Sequence, residues 1–326
     1  MITDFSEPGG YFRSDNFLSN ESGYQSVIPA LFKTLKPGGV YIGVGPEQNF
    51  TYIVAFRPKI AFVIDIRRQN MLEHLFYKAV METSADRAEF LSRLFARPRV
   101  ESTATSTAET LFRAYESVRP VPALFETNVR HVVEHLEHQK GFKLSDEDKS
   151  RIRYVAQAFF KAGPELSYSF IGGNDDRRPM PNYSDLMTET DGISRNWNFL
   201  STENQFQAIR NMQQNNLIVP VVGDFAGPKA IRSVAQYVRE HGSTVRAFYT
   251  SNVEQYLFQD RDNWKRFYNN VAFLPTDASS AFIRYVLDSQ RYDRQRTSLT
   301  SSINSTMSAY RFGRIEGYYD IVTLSR

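Results

Sequence analysis

Apolar residues follow two rhythms along the chain. Short unbroken runs, VYIGVG at 40–45, KIAFVID at 59–65, NLIVPVVGD at 216–224 and TVRAFYTSN at 244–252, have the pattern of strands buried on both faces. Between them lie stretches with helical spacing. SVIPALFKTL at 26–35 is one, and Pro37-Gly38-Gly39 ends it. NFTYIVAF at 49–56, a long stretch at 71–95, and segments 202–215, 228–242 and 253–270 are others. VAFLP at 271–275, AFIRYVL at 281–287 and GYYDIVTLS at 317–325 add three expected strands, making seven. Strand alternating with helix predicts an α/β fold, a doubly wound, mostly parallel seven-stranded sheet.

The organisation follows from this pattern. Residues 1–37 read as an N-terminal arm and helix, and 38–84 as the first half of the sheet. Residues 85–200 read as a mainly helical insertion or lid, and 201–326 as the second half. Within the insertion, ESTATSTAET at 101–110 is polar and low in complexity, the pattern of a loop. Segments 121–141 and 144–163 predict a helical pair, with Ser145 as N-cap and Asp148 in the capping-box position. The Gly, Pro, Asn and Asp content of 171–185 predicts a long loop. His131, His135 and His138 fall at i, i+4 and i+7, which predicts one polar helix face; no second ligand segment accompanies them, so no metal is expected. NFLSNE at 16–21 is echoed by NFLSTE at 198–203, read either as a shared helix-entry turn or as two polar walls around one ligand.

Composition narrows the classes. With 41% apolar and 23% charged residues over 326 positions, the chain has material for a core and is not a disordered segment. Lys and Arg number 39 against 36 Asp and Glu, a net charge of +3 with no basic block, so there is no nucleic-acid signal. The absence of cysteine removes disulfides, thiolate nucleophiles and iron–sulfur clusters. No apolar run approaches the roughly 20 residues of a membrane span. The start, MITDFSEPGG, has neither a basic nor an apolar leader region, so a cytoplasmic location is the default expectation. A G-x-S-x-G nucleophile turn is missing.

The chemistry-bearing segment is Tyr41-Ile42-Gly43-Val44-Gly45-Pro46-Glu47-Gln48-Asn49. A strand that turns through Gly-x-Gly lets backbone N–H groups approach a ligand. Asp65 follows Gly45 by 20 residues, at the tip of the next predicted strand, where an acid accepts ribose hydroxyls. The pattern predicts a nucleoside-ligand site. Arg67 is placed to contact phosphate or to stack on adenine. The arm at 11–16 either folds over the ligand or straps the surface. Tyr183 and Tyr318-Tyr319 are candidate pocket walls.

On these residues the chain resembles class I S-adenosylmethionine-dependent methyltransferases, over 38–70 and 216–325. Gly43 and Gly45 match the first glycines of that family's cofactor loop, and Asp65 its ribose acid. Val222-Gly223-Asp224 looks like the third-strand motif, whose acid contacts the adenine amino group. The segment from Tyr249 through Ser251 and Asn252 to Leu257 looks like the one beside the transferred methyl group. The runs GGVYIGVGPEQNFTYI and IDIRRQNMLEHL are similar to an uncharacterised bacterial family of this fold with a leptospiral member.

The resemblance implies a Rossmann-like fold that holds S-adenosylmethionine through Gly43, Gly45, Glu47, Asn49, Asp65, Arg67, Gly223 and Asp224. It places Tyr249, Ser251 and Asn252 at the reacting end. Two positions depart from the family pattern. Tyr41 stands where an acid is usual, and Glu47 stands at the third glycine, where it either intrudes on the methionine site or supplies the missing charge. Two readings stay open. One is a methyltransferase acting on a small or peptide-like acceptor, to which Asp65 and Asp224 point. The other is a non-catalytic module for a nucleoside ligand or a protein partner, to which Tyr41 and Glu47 point. A nicotinamide dehydrogenase needs a third glycine at position 48, which is Gln.

Overall fold

The computed structural model describes residues 1–168, 180–287 and 296–325. Its centre is a six-stranded sheet. The strands are β1 (Val40–Gly43), β2 (Ile60–Asp65), β3 (Ile218–Val222), β4 (Val245–Ser251), β5 (Ala281–Leu287) and β6 (Arg296–Ser302). Their spatial order is β3-β2-β1-β4-β5-β6; the first five are parallel and β6 runs antiparallel to β5. β1, β2 and β3 are buried along their whole length, as their unbroken apolar runs predict.

The first helices are α1 (Ile2–Phe5), α2 (Ile28–Thr34) and α3 (Gln48–Phe56). Between β2 and β3 come α4 (Arg68–Glu82), α5 (Arg87–Phe95), α6 (Ala108–Ser117), α7 (Pro122–Glu134), α8 (Asp146–Ala162), α9 (Tyr183–Thr188) and α10 (Glu203–Gln214). The later helices are α11 (Ala230–Glu240), α12 (Val253–Leu257), α13 (Asn263–Val271), α14 (Ile303–Arg311) and α15 (Tyr318–Thr323). The stretch 71–95 is two helices because Asp86 caps a new start, accepting from Glu89 N at 2.8 Å. Ser145 and Asp148 form the expected reciprocal cap on α8.

Register shows that helices cover both faces. Tyr41 lies beside Ala61 and Ala247, whereas Ile42 lies beside Phe62 and Phe248. Side chains alternate across a strand, so these are opposite faces. On the first face, Tyr52 of α3 meets Tyr41 and Tyr249, with ring centroids 6.5 and 5.2 Å apart. On the second, Tyr237 of α11 meets Phe62 at 5.5 Å and Phe267 of α13 meets Phe248 at 6.0 Å.

Two of the seven expected strands fold otherwise. VAFLP at 271–275 is the tail of α13 and the turn after it, an apolar run that ends a helix. Residues 317–325 form α15 and its exit. Asp320 accepts from Glu316 N at 2.8 Å and Gly317 N at 2.9 Å, so a capped helix start outweighs the β-favouring composition of YYDIV. The sixth strand, RTSLTSS, has Leu299 as its one large apolar residue and so carries no strand signal of its own. The polar run at 101–110 is loop only through 107, because Thr107 caps α6. Residues 171–179 of the expected long loop lie outside the described residues. Among the described residues no helix is long and apolar enough to cross a membrane.

Candidate functional site

A cavity of about 290 Å³ opens at the C-terminal ends of the parallel strands. Its walls are residues 44–46 after β1, 64–67 at the end of β2, 223–225 after β3, and Tyr249 with 251–253 at the end of β4. The strand order reverses between β1 and β4, and open α/β sheets bind ligands in the crevice at such a point. The volume sits at the low end of small-molecule pockets, which run from about 300 to 1,000 Å³.

The glycine turn is held from behind. Gly45 has φ +78°, a left-handed conformation that glycine adopts without strain. Asn49 Nδ2 donates to the carbonyls of Val44, Gly45 and Pro46 at 3.0, 3.1 and 2.7 Å. Asn49 Oδ1 accepts from Tyr41 OH at 2.9 Å, and a Cβ on Gly43 would collide with that oxygen. Tyr41, which departs from the family pattern, is therefore a strut for the turn. His74 Nε2 lies 2.9 Å from Gly45 O, and since a carbonyl only accepts, that nitrogen carries the proton. Burial lowers the His74 pKa to about 4, so the imidazole is neutral at pH 7.

Gly43, Glu47 and Asn49, expected at the cofactor, do not line the cavity. Glu47 neither intrudes on it nor adds charge to its wall. Its buried carboxyl turns to the arm, where Ser19 N lies 3.3 Å from both oxygens. Burial pushes its pKa up to about 8, with Glu21 adding to the rise, against the backbone hydrogen bonds.

Gly45, Asp65, Arg67, Gly223, Asp224, Tyr249, Ser251 and Asn252 do come together in the lining. Asp65 is not free. Its Oδ1 accepts from Arg67 N at 2.8 Å and Nε at 3.0 Å, and its Oδ2 from Nη2 at 2.9 Å. Both side chains are buried. Gly223 packs on α11, where a Cβ would strike Ala230. Asp224 caps the following turn through Ala226 N at 2.9 Å.

At the end of β4, burial raises the Tyr249 phenol pKa well above its ordinary value. Ser251 has φ +51°, coincides with an irregularity in the β4–β5 register, and donates its Oγ to Glu21 Oε1. Asn252 O accepts from Gln255 N at 3.0 Å.

The remaining wall comes from the arm, from Tyr168, and from Tyr256, Leu257 and Asn263. Tyr11, Phe12, Asn16 and Glu21 line the cavity, and the Phe12 ring meets Tyr256 edge-on at 5.4 Å. Asn16 is also left-handed, at φ +52°. The arm is tied down where Glu7 N meets Val222 O and Gly10 N meets Ile66 O, both at 2.8 Å. The Glu7 carboxylate accepts from Lys229 N and Ala230 N, each at 2.7 Å, at the start of α11. Glu21 belongs to the NFLSNE run singled out in the sequence; Tyr168, which accepts from Ser14 Oγ at 2.9 Å, is a lining residue that sequence reasoning missed.

Other sequence candidates lie elsewhere. Asn198 is buried beside Tyr24 and Thr51, at 3.1 and 3.2 Å, so only the first copy of the echo lines the cavity. Tyr183 is buried among Phe95, Phe112 and Phe159. The three histidines do not share a solvated face: His131 and His138 are exposed, while His135 turns inward onto Glu82 at 2.6 Å, where a π-helical turn changes the helix phase. Among the described residues no three metal-ligating side chains gather.

Fold and cavity define an α/β protein with a ligand-sized crevice at its strand ends. The chain matches the DUF7790 family, described as a domain of unknown function, over residues 16–163 and 165–311, and it belongs to that family. No curated protein matches it.

Proposed function

We propose that this chain binds S-adenosylmethionine in a doubly wound, Rossmann-like sheet and transfers its methyl group to a small or peptide-like acceptor. The observation that carries this reading is that one cavity gathers Gly45, Asp65, Asp224 and Ser251 from the ends of four neighbouring parallel strands. The order β3-β2-β1-β4-β5-β6 and the helices on both faces support the Rossmann-like assignment, although β6 is antiparallel. Charge supports the choice of ligand. Among the described lining residues, Glu21, Asp65 and Asp224 stand against one cation, Arg67. That balance suits a sulfonium better than the pyrophosphate of a dinucleotide.

The residues fit the cofactor in named roles. Asp65 takes a ribose hydroxyl, Asp224 faces the adenine amino group, and Gly45 keeps the turn clear of side chain. When bound, the sulfonium supplies an already activated methyl group. The protein's task is then to orient the acceptor and exclude water, which falls to Tyr249, Ser251 and Asn252. One observation favours the non-catalytic alternative, a module for a nucleoside ligand or a protein partner: Asp65, the ribose acid of the catalytic reading, is already engaged by Arg67.

Calorimetric titration with S-adenosylmethionine, S-adenosylhomocysteine and NAD tests the proposal. Micromolar binding of the first two, lost in Asp65→Ala, is expected. No binding of either, or equal affinity in the variant, refutes it.

A further inference from the structure

The Asp65 carboxylate has a countable capacity. A carboxylate offers about four lone-pair positions, two on each oxygen. The backbone N–H and Nε–H of Arg67 occupy both positions on Oδ1, and Nη2 occupies one on Oδ2. Among the described residues, these bonds leave a single acceptor position, on Oδ2.

Arg67 is also held from its other side. Its Nη1 donates to the Asp15 carbonyl at 2.6 Å, and the Asp15 side chain accepts from Tyr154 OH at 3.1 Å. The ion-paired side chains are only 7% and 5% exposed. Moving the guanidinium aside breaks charge-assisted hydrogen bonds inside a buried pair, which is costly. A 2′,3′-diol that claimed both carboxylate oxygens would have to do so.

We propose that Arg67 is a specificity-determining residue, which restricts Asp65 to one ligand hydroxyl, so the site reads a single ribose OH and not the diol. This rests on the nucleoside reading of the cavity. The ligand class it defines is an adenosine thioether or sulfonium with one hydroxyl free, the other being open to deletion or substitution.

The test uses S-adenosylhomocysteine and its 2′-deoxy and 3′-deoxy forms, titrated into the wild-type protein. One deoxy ligand should bind within about threefold of the parent, and the other about tenfold or more weakly, the size of a lost hydrogen bond to a charged group. In Arg67→Gln, which frees Asp65, both deoxy ligands should lose about tenfold relative to the parent. Similar losses for both deoxy ligands in wild type, or no loss for either, overturn the inference. The wild-type comparison decides this even if Arg67→Gln fails to fold. The underlying site reading fails separately, if the parent ligand does not bind or binds Asp65→Ala equally, and the inference then falls with it.

Discussion

Glu47 should make the protein less stable as pH rises. Its carboxyl is buried, meets its own backbone N–H and Ser19 N, the latter at 3.3 Å in the arm, and has a pKa of about 8 in the folded state. In the unfolded chain a glutamate titrates near 4.3. Below that value both states hold the proton and the stabilising contribution is complete. Between about 4.3 and about 8 the folded protein keeps the proton while the unfolded chain releases it, so stability falls by about 1.4 kcal/mol per pH unit. The full loss is on the order of 5 kcal/mol by pH 8. Glu47→Gln removes this titration while keeping the shape. Urea unfolding of both proteins at pH 5, 6.5 and 8 should give curves that diverge steadily, the variant gaining on wild type at higher pH. Glu73 adds a slope of its own, because burial holds its pKa well above the usual range and both its oxygens lack partners. The charge of Glu47 adds to that rise, so the difference between the two proteins reads the Glu47 titration together with its coupling to Glu73. An offset that does not change with pH would refute the reasoning.

Arg284 and Glu254 form a buried pair, each about 1% exposed, with Nη2 3.2 Å from Oε1 and Thr250 Oγ1 donating to Oε2 at 3.1 Å. Arg284→Met should cost about 3–5 kcal/mol in urea unfolding by leaving a buried carboxylate without its counter-charge, and a loss below about 1 kcal/mol would contradict this. At Ser251, Gly and Ala both remove the hydrogen bond to Glu21, but only Ala keeps the left-handed strain. Ser251→Gly should therefore be more stable than Ser251→Ala by about 1 kcal/mol, read as a higher Tm, and the reverse order would show that φ is not the cost.

The strands were legible where burial on both faces demands an unbroken apolar run, as in KIAFVID. They were illegible where tertiary context decides. RTSLTSS becomes a strand by pairing with β5 and carries no apolar run to announce it. YYDIV becomes a helix through the Asp320 cap. The same division holds at the site. Gly45, Asp65, Asp224 and Ser251 sit at strand ends, where chain order and parallel topology bring them together. Glu47 and Asn49 lie in the same motif but one layer behind, because helix α3 starts at Gln48 and turns them into the protein. Glu21 reaches the cavity through the path of the arm, a contact between residues 230 positions apart that no local pattern encodes.

The arm also sets an order of assembly. Ser6 and Glu7 find their hydrogen-bond partners at Val222, Asp224, Lys229 and Ala230, more than 200 residues later. At synthesis rates of about 5–20 residues per second, the arm precedes those partners by roughly 10 to 40 seconds. For that interval the wall is only half made, and Phe12 lacks Tyr256, the ring it packs against. The crevice is among the last parts of the molecule that a growing chain can complete, and a ribosome that pauses before β3 holds a chain with no ligand site.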